Sequence, residues 1–238
     1  MLFSYMELYR RIVTALYKTL PVKKEEVQRA ELLEDYYNTK YPSEPIFYNG
    51  RVLPGSKTRI PVDVRDFFTL EDEMVKNVVK GLKMSTQTDN QKALTCLKFI
   101  IQNFPYKSDS TNYGNGEFWS MPYESINKKS GDCEDGSILL ANMLILAGVP
   151  AWKIRINCGW VFEPVSKQQV GHAYTTFFDD DKEKWVILDW CYYPNLKRII
   201  DREEYKKEKM YQDVWFSFNN KYSWAKTAGD VRNMEGFK

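Results

Sequence analysis

A chain of 238 residues can bury one large core, and 43% hydrophobic with 28% charged residues is a globular rather than a disordered composition. Lys plus Arg number 34 against 32 Asp plus Glu, a net charge of +2, which lacks the concentrated positive charge of a phosphate-backbone binder, so no nucleic acid partner is expected. No run of about 18 apolar residues could span a bilayer, and the start MLFSYMELYRR lacks a basic segment followed by an apolar one; the expectation is no signal peptide, no membrane partner and a cytoplasmic or virion-associated protein.

In chain order, Leu2, Met6, Tyr9, Val13, Leu16 and Leu20 recur at steps of four and three, the spacing of one apolar helical stripe. This stripe is expected to pack on the protein's own core or to dock a protein partner. Residues 23–40 are helix-favouring, and the helix should stop at Tyr41-Pro42, because the residue before proline avoids helical dihedrals. From Ile46 to Val64 the glycines and prolines suit a short hairpin or an extended arm.

Thr69 is placed to cap a helix through Val75, Val78, Val79 and Leu82. Thr88 with Gln91 forms a capping-box pattern before a second helix, which Pro105 closes. Tyr113 to Asn127, with Gly114, Gly116 and Pro122, reads as a loop. From Cys133 onward Ile138, Leu139, Leu140, Met143, Leu144 and Leu146 are apolar almost all round, as in a buried helix, and Gly148 and Pro150 stop it. The runs 153–156, 158–162, 173–178 and 185–189 are short, aromatic and β-branched, which predicts an antiparallel sheet. Lys197 to Lys209 is charge-dense and reads as a helix with a solvated face.

Four cysteines without a C-x-x-C pair and a single histidine do not form a closely spaced zinc set. No acidic loop carries regular calcium-ligand spacing. Reduced thiols, no metal and no cofactor are expected.

Cys133 follows Gly131-Asp132 and opens the buried helix. There the helix N-terminus contributes about half a positive charge that favours a thiolate, and the free amides of the first turn could bind an oxyanion. The sulfur is expected to point out of that turn, with Asp132 and Glu134 facing away from it. A nucleophilic thiol needs a base, and His172 is the one imidazole in the chain. Asp189, ending the apolar run 185–188, could fix the tautomer of His172 from a neighbouring strand.

The order Gly131-Asp132-Cys133-Glu134-Asp135, Gly148-Val149-Pro150-Ala151, Gly171-His172-Ala173 and Trp185-Val186-Ile187-Leu188-Asp189 resembles the transglutaminase-like superfamily. The upstream Trp119-Ser120-Met121-Pro122-Tyr123-Glu124 is similar as well. The resemblance implies an α+β, papain-like core in which a helix opened by the cysteine packs on an antiparallel β-sheet, here with an N-terminal helical extension. It implies Cys133, His172 and Asp189 as catalytic residues and leaves Gln102, Tyr106 and Trp119 open as the oxyanion side chain. Residues 1–66 are then the extension and connector arm, 67–202 the transglutaminase-like catalytic core, and 203–238 a C-terminal helix or strand and tail packing on it.

The expected activity is a thiol-dependent, cysteine peptidase-like amide hydrolase that acts through an acyl-enzyme on a protein or peptide, peptidoglycan peptides included. Two alternatives stand beside it: a protein-glutamine acyltransferase, and a structural or docking protein of a virion or other assembly that retains the fold.

Overall fold

The computed structural model describes residues 43–52, 58–114, 116–163 and 165–225, all within the compact unit Ser43–Lys238. The apolar stripe of Leu2 to Leu20 and the helix expected at 23–40 lie outside the described residues.

The described chain opens with a hairpin, β1 (Phe47–Val52) and β2 (Arg59–Asp63); Ile46, just before it, and Tyr48 of β1 are buried in the main core. Helix α1 (Glu73–Gly81) is capped by Asp72, whose carboxylate accepts from the amides of Met74 at 2.9 Å and Val75 at 3.1 Å. The sequence placed the cap at Thr69, and the structure corrects it: Asp72 is the residue directly before the first helical one, where a short acceptor reaches the free amides. Helix α2 (Asp89–Asn103) carries the expected capping box, with Gln91 N donating to Thr88 Oγ1 at 3.3 Å and Thr88 N to Gln91 Oε1 at 2.9 Å.

A one-turn helix α3 (Asp109–Tyr113) and α4 (Pro122–Lys128) follow. The segment read as a loop therefore contains a helix. Pro122 occupies the first helical position, where its missing N–H costs nothing and its fixed φ is already helical, so it starts a helix instead of breaking one.

Helix α5 (Cys133–Leu146) is buried from Cys133 through Leu144. It packs on the strands β3 (Ile154–Phe162) and β4 (Gln169–Asp179) and touches α1, α2 and α4. With β5 (Lys184–Leu188), β6 (Tyr211–Phe218) and β7 (Ser223–Ala225) these strands form an antiparallel five-stranded sheet in the order β5-β4-β3-β6-β7. The runs 153–156 and 158–162 are one strand. Its partner β6 slips register beside Gly159, where the backbone of Asp213 comes so close that any Cβ would collide with it.

Residues 197–209 form two 3₁₀ turns, Ile199–Asp201 and Tyr205–Lys207, rather than one helix. The charge count obscured an inward pull, because Ile199 and Arg202 are both buried. Among the described residues no helix is long and apolar enough to cross a membrane.

Candidate functional site

Two pairings bring His172 and Asp189 together. His172 lies on β4 opposite Gly159 of β3, while Thr175 of β4 pairs with Leu188 of β5, so the residue just beyond β5 comes back alongside the imidazole. His172 Nε2 and Asp189 Oδ2 are 2.8 Å apart, and both side chains are 0% exposed. Asp189 Oδ2 also accepts from the Tyr211 hydroxyl at 2.9 Å, and Oδ1 accepts from the amides of Cys191 at 2.9 Å and Tyr192 at 3.2 Å.

Burial alone would push the Asp189 carboxyl up. The His172 imidazole, aided by the Cys191 amide and the Tyr211 hydroxyl, outweighs it and holds the group below the usual carboxylate range. The imidazole is flanked by Tyr192 at 4.2 Å and Tyr174 at 5.9 Å between ring centres, both nearly parallel to it. Its second nitrogen, Nδ1, is buried and has no hydrogen-bond partner among the described residues.

Cys133 is the first residue of α5 and is 8% exposed. Its thiol donates to Glu134 Oε2 at 3.2 Å and lies beside the backbone amide of Ala173, the neighbour of His172. The sulfur therefore points inward and Glu134 faces it, which corrects two sequence expectations. A third is corrected as well. Burial pushes the thiol well above its ordinary pKa, and the negative charge of Asp132 adds to the rise; the Ala173 amide and the Glu134 hydrogen bond oppose it without winning. Burial outweighs the helix field at this turn, and Asp132 adds to it.

A further acid, Asp109, comes from α3. The Asp109 amide donates to Asp132 Oδ2 at 3.2 Å, and Asp109 Oδ2 accepts from the Phe118 amide. Ligand-type oxygens of Asp109, Asp132 and Glu134 all lie within 4.8 Å of one another, and Asp109 Oδ1, Asp132 Oδ1 and Glu134 Oε1 are buried without a hydrogen-bond partner among the described residues. Burial, reinforced by Asp132, pushes the Asp109 carboxyl up to about 7. If any group of the described residues holds a cation, the donor chemistry favours this one. The second such group, His172, Asp189 and Cys191, already has its imidazole and carboxylate bonded to each other.

Of the three oxyanion candidates, Trp119 is fully buried, with its indole N–H donating to Glu117 at 2.8 Å. Gln102 is exposed on α2. Tyr106 is 51% exposed, and its ring lies 6.3 Å from that of Trp190. Trp190 in turn donates to the Cys133 carbonyl at 3.4 Å. Tyr106 is thus the candidate linked through Trp190 to the start of α5.

Sequence reasoning missed three neighbours. Cys191 places a second sulfur 3.9 Å from His172 Nε2, and burial and the Asp189 charge raise its pKa well above the ordinary value. Tyr192 covers the imidazole, and Tyr211 reaches Asp189 from β6. The run Asp189-Trp190-Cys191 did carry a local signal, since an aspartate accepting from the amide two residues on is a standard turn. Tyr211 carried none.

A helix opened by a cysteine packs on an antiparallel sheet that bears a buried His–Asp pair. Residues 74–190 match the family model of the transglutaminase-like superfamily, and this segment is its core. The chain is similar to the solved structure of Legionella pneumophila LapG, at 19% identity over 65% of this chain and 87% of that one, with a TM-score of 0.49. Calcium-bound LapG of the same organism is similar at 20% identity over 83% of this chain and 87% of that one, with a TM-score of 0.48. A candidate cysteine protease from Cytophaga hutchinsonii is similar at 15% identity over 70% and 54% of the two chains, with a TM-score of 0.37. No curated protein matches the chain.

Proposed function

We propose that this protein is a thiol-dependent amide hydrolase with Cys133 as nucleophile, His172 as general base and then acid, and Asp189 as the residue that orients the base. The observation that carries this reading is the polarity of the imidazole: Nε2 is occupied by Asp189 at 2.8 Å, while Nδ1 is buried and open. An imidazole tied at one nitrogen and free at the other suits the acceptance of a thiol proton.

In the resting form Glu134 holds the S–H. For attack the thiol turns to Nδ1, its proton passes to the imidazole, and the sulfur bonds to the carboxamide carbon. The oxyanion is met by first-turn amides of α5 and by Tyr106. The C–N bond then breaks as His172 protonates the departing amine, leaving a thioester. Water, deprotonated by His172, attacks that thioester to give a carboxylic acid and restore the thiol.

The test is labelling by iodoacetamide at neutral pH with the labelled residue mapped by mass spectrometry. Cys133 should be the labelled residue, and His172→Ala should slow its labelling at least tenfold. Labelling of Cys191 ahead of Cys133, or an unchanged rate in His172→Ala, overturns the assignment. Incorporation of an added primary amine into the product would move the reading to acyl transfer.

Asp109, Asp132 and Glu134 would fit a hard divalent cation of calcium's class, because three carboxylates each keep one buried oxygen unpartnered among the described residues. Such an ion would neutralise the negative charge beside Cys133, and no step above passes through it. Melting in calcium chloride against EDTA tests the fit. A saturable rise in Tm in the native chain that is lost in Asp109→Asn supports it; equal melting in both media removes it.

A further inference from the structure

Arg202 lies within the run that the sequence presented as a solvated charged face, yet it is 5% exposed. Among the described residues its partners are neutral: Nη1 donates to the Ile187 carbonyl at 2.8 Å and Nη2 to the Asn195 carbonyl at 2.6 Å, while Nε–H has none. Glu203, the acid next in sequence, is paired with Lys207 at 3.3 Å. A guanidinium taken out of water with only carbonyls for company keeps an uncompensated charge, an arrangement that proteins rarely hold without a counter-ion. Desolvation accordingly lowers its pKa to about 10.

Arg202 also lines an open cavity of about 130 Å³ together with Ile187, Tyr193, Asn195, Lys197 and Tyr211. That volume accommodates a carboxylate on a short stem with water beside it. Glu203 and Glu208 line it as well, so selection for an anion must come from the buried guanidinium and from Lys197. Tyr211 forms part of the wall and donates to Asp189 at 2.9 Å, so one tyrosine separates this cavity from the His172–Asp189 pair.

We propose that this cavity binds a carboxylate, held by the Arg202 guanidinium and by Lys197, with the rings of Tyr193 and Tyr211 against its stem. Guanidinium edges match carboxylate geometry, and a buried fork loses little freedom on binding. The carboxylate could belong to a free small acid or to the end of a peptide. This inference goes beyond the hydrolase reading and does not depend on Cys133 being reactive.

The experiment is thermal melting of the full chain with increasing sodium acetate, with sodium chloride at matched ionic strength as control. Acetate at tenfold its dissociation constant should raise Tm by about 3–6 °C, and chloride should not. Lys197→Gln, an exposed position whose loss leaves the Arg202 bonds intact, should weaken acetate binding at least fivefold, and Arg202→Gln should abolish it. If Arg202→Gln does not fold, Lys197→Gln alone decides. N-acetyl-alanyl-alanine and its C-terminal amide identify the source. A free-acid peptide bound at least tenfold more tightly than acetate points to a peptide terminus, and equal binding points to a small acid. Absence of a saturable acetate effect, an effect undiminished in Lys197→Gln, or binding of the amide as tight as that of the acid overturns the proposal.

Discussion

Tyr211→Phe isolates one bond in the buried pair. Among the described residues the Asp189 carboxylate accepts from four donors, and the Tyr211 hydroxyl at 2.9 Å is the one that a single-atom deletion removes while the ring stays packed 4.5 Å from Tyr174 and 5.4 Å from Tyr193. A hydrogen bond to a buried charge contributes about 1.5–3 kcal/mol. At about 2–4 °C per kcal/mol for a chain of this size, a loss of about 2 kcal/mol lowers Tm by roughly 4–8 °C. The control is Tyr205→Phe, which removes a bond between two neutral hydroxyls, Tyr174 to Tyr205 at 2.6 Å, and should cost about 0.5–1.5 kcal/mol.

The pH dependence separates the two variants. Asp189 is held below the ordinary carboxylate range, so its contribution is present above the unfolded-state pKa and disappears as pH falls through the lower folded-state value. The deficit of Tyr211→Phe should therefore be full at pH 7 and shrink near pH 3, while that of Tyr205→Phe stays flat. Urea unfolding at the two pH values measures both. A Tyr211→Phe deficit below about 0.5 kcal/mol at pH 7, or one unchanged at pH 3, would show that the hydroxyl does not stabilise the ionised carboxylate.

Burial pushes the Glu117 carboxyl up to about 8, so its share of stability is greatest below the unfolded-state value and falls as pH rises toward 8; Glu117→Gln, which keeps an acceptor for Trp119, should flatten the Tm profile between pH 5 and 8. In Gly136→Ala the new methyl would overlap the Trp190 ring, whose indole N–H meets the Cys133 carbonyl. Overpacking of this kind costs about 1–3 kcal/mol despite the gain in helix propensity, and urea unfolding reports it. Thr88→Ala should cost about 1 kcal/mol through loss of the α2 cap, with iodoacetamide labelling of Cys133 unchanged.

Local chemistry was legible in the sequence, and convergence was not. The Thr88–Gln91 box lies within one turn, and the burial of α5 is written in its own apolar run. The His172–Asp189 contact could be anticipated because each residue sits by an end of neighbouring antiparallel strands. Thr69 and Asp72 are both acceptable caps three positions apart, and the choice depends on where the first turn closes. Pro122 can start a helix as readily as break one. The orientation of Asp132 and Glu134 depends on Asp109, which reaches them only when α3 folds across the start of α5. Arg202 was read by its charge, whereas the carbonyls of Ile187 and Asn195 that draw it inward belong to separate stretches of chain.

The sheet order β5-β4-β3-β6-β7 places a strand from late in the chain at the flank of β3. A fragment trimmed to residues 74–190, the stretch of recognisable ancestry, would strip that neighbour away and leave β3 with a bare ladder edge open to self-association. It would also remove Tyr48, which stacks on Trp119 at 4.8 Å. Truncation at the limits of sequence similarity would thus yield an aggregation-prone remnant, and during synthesis the Asp189 pocket cannot close until the ribosome has passed residue 211.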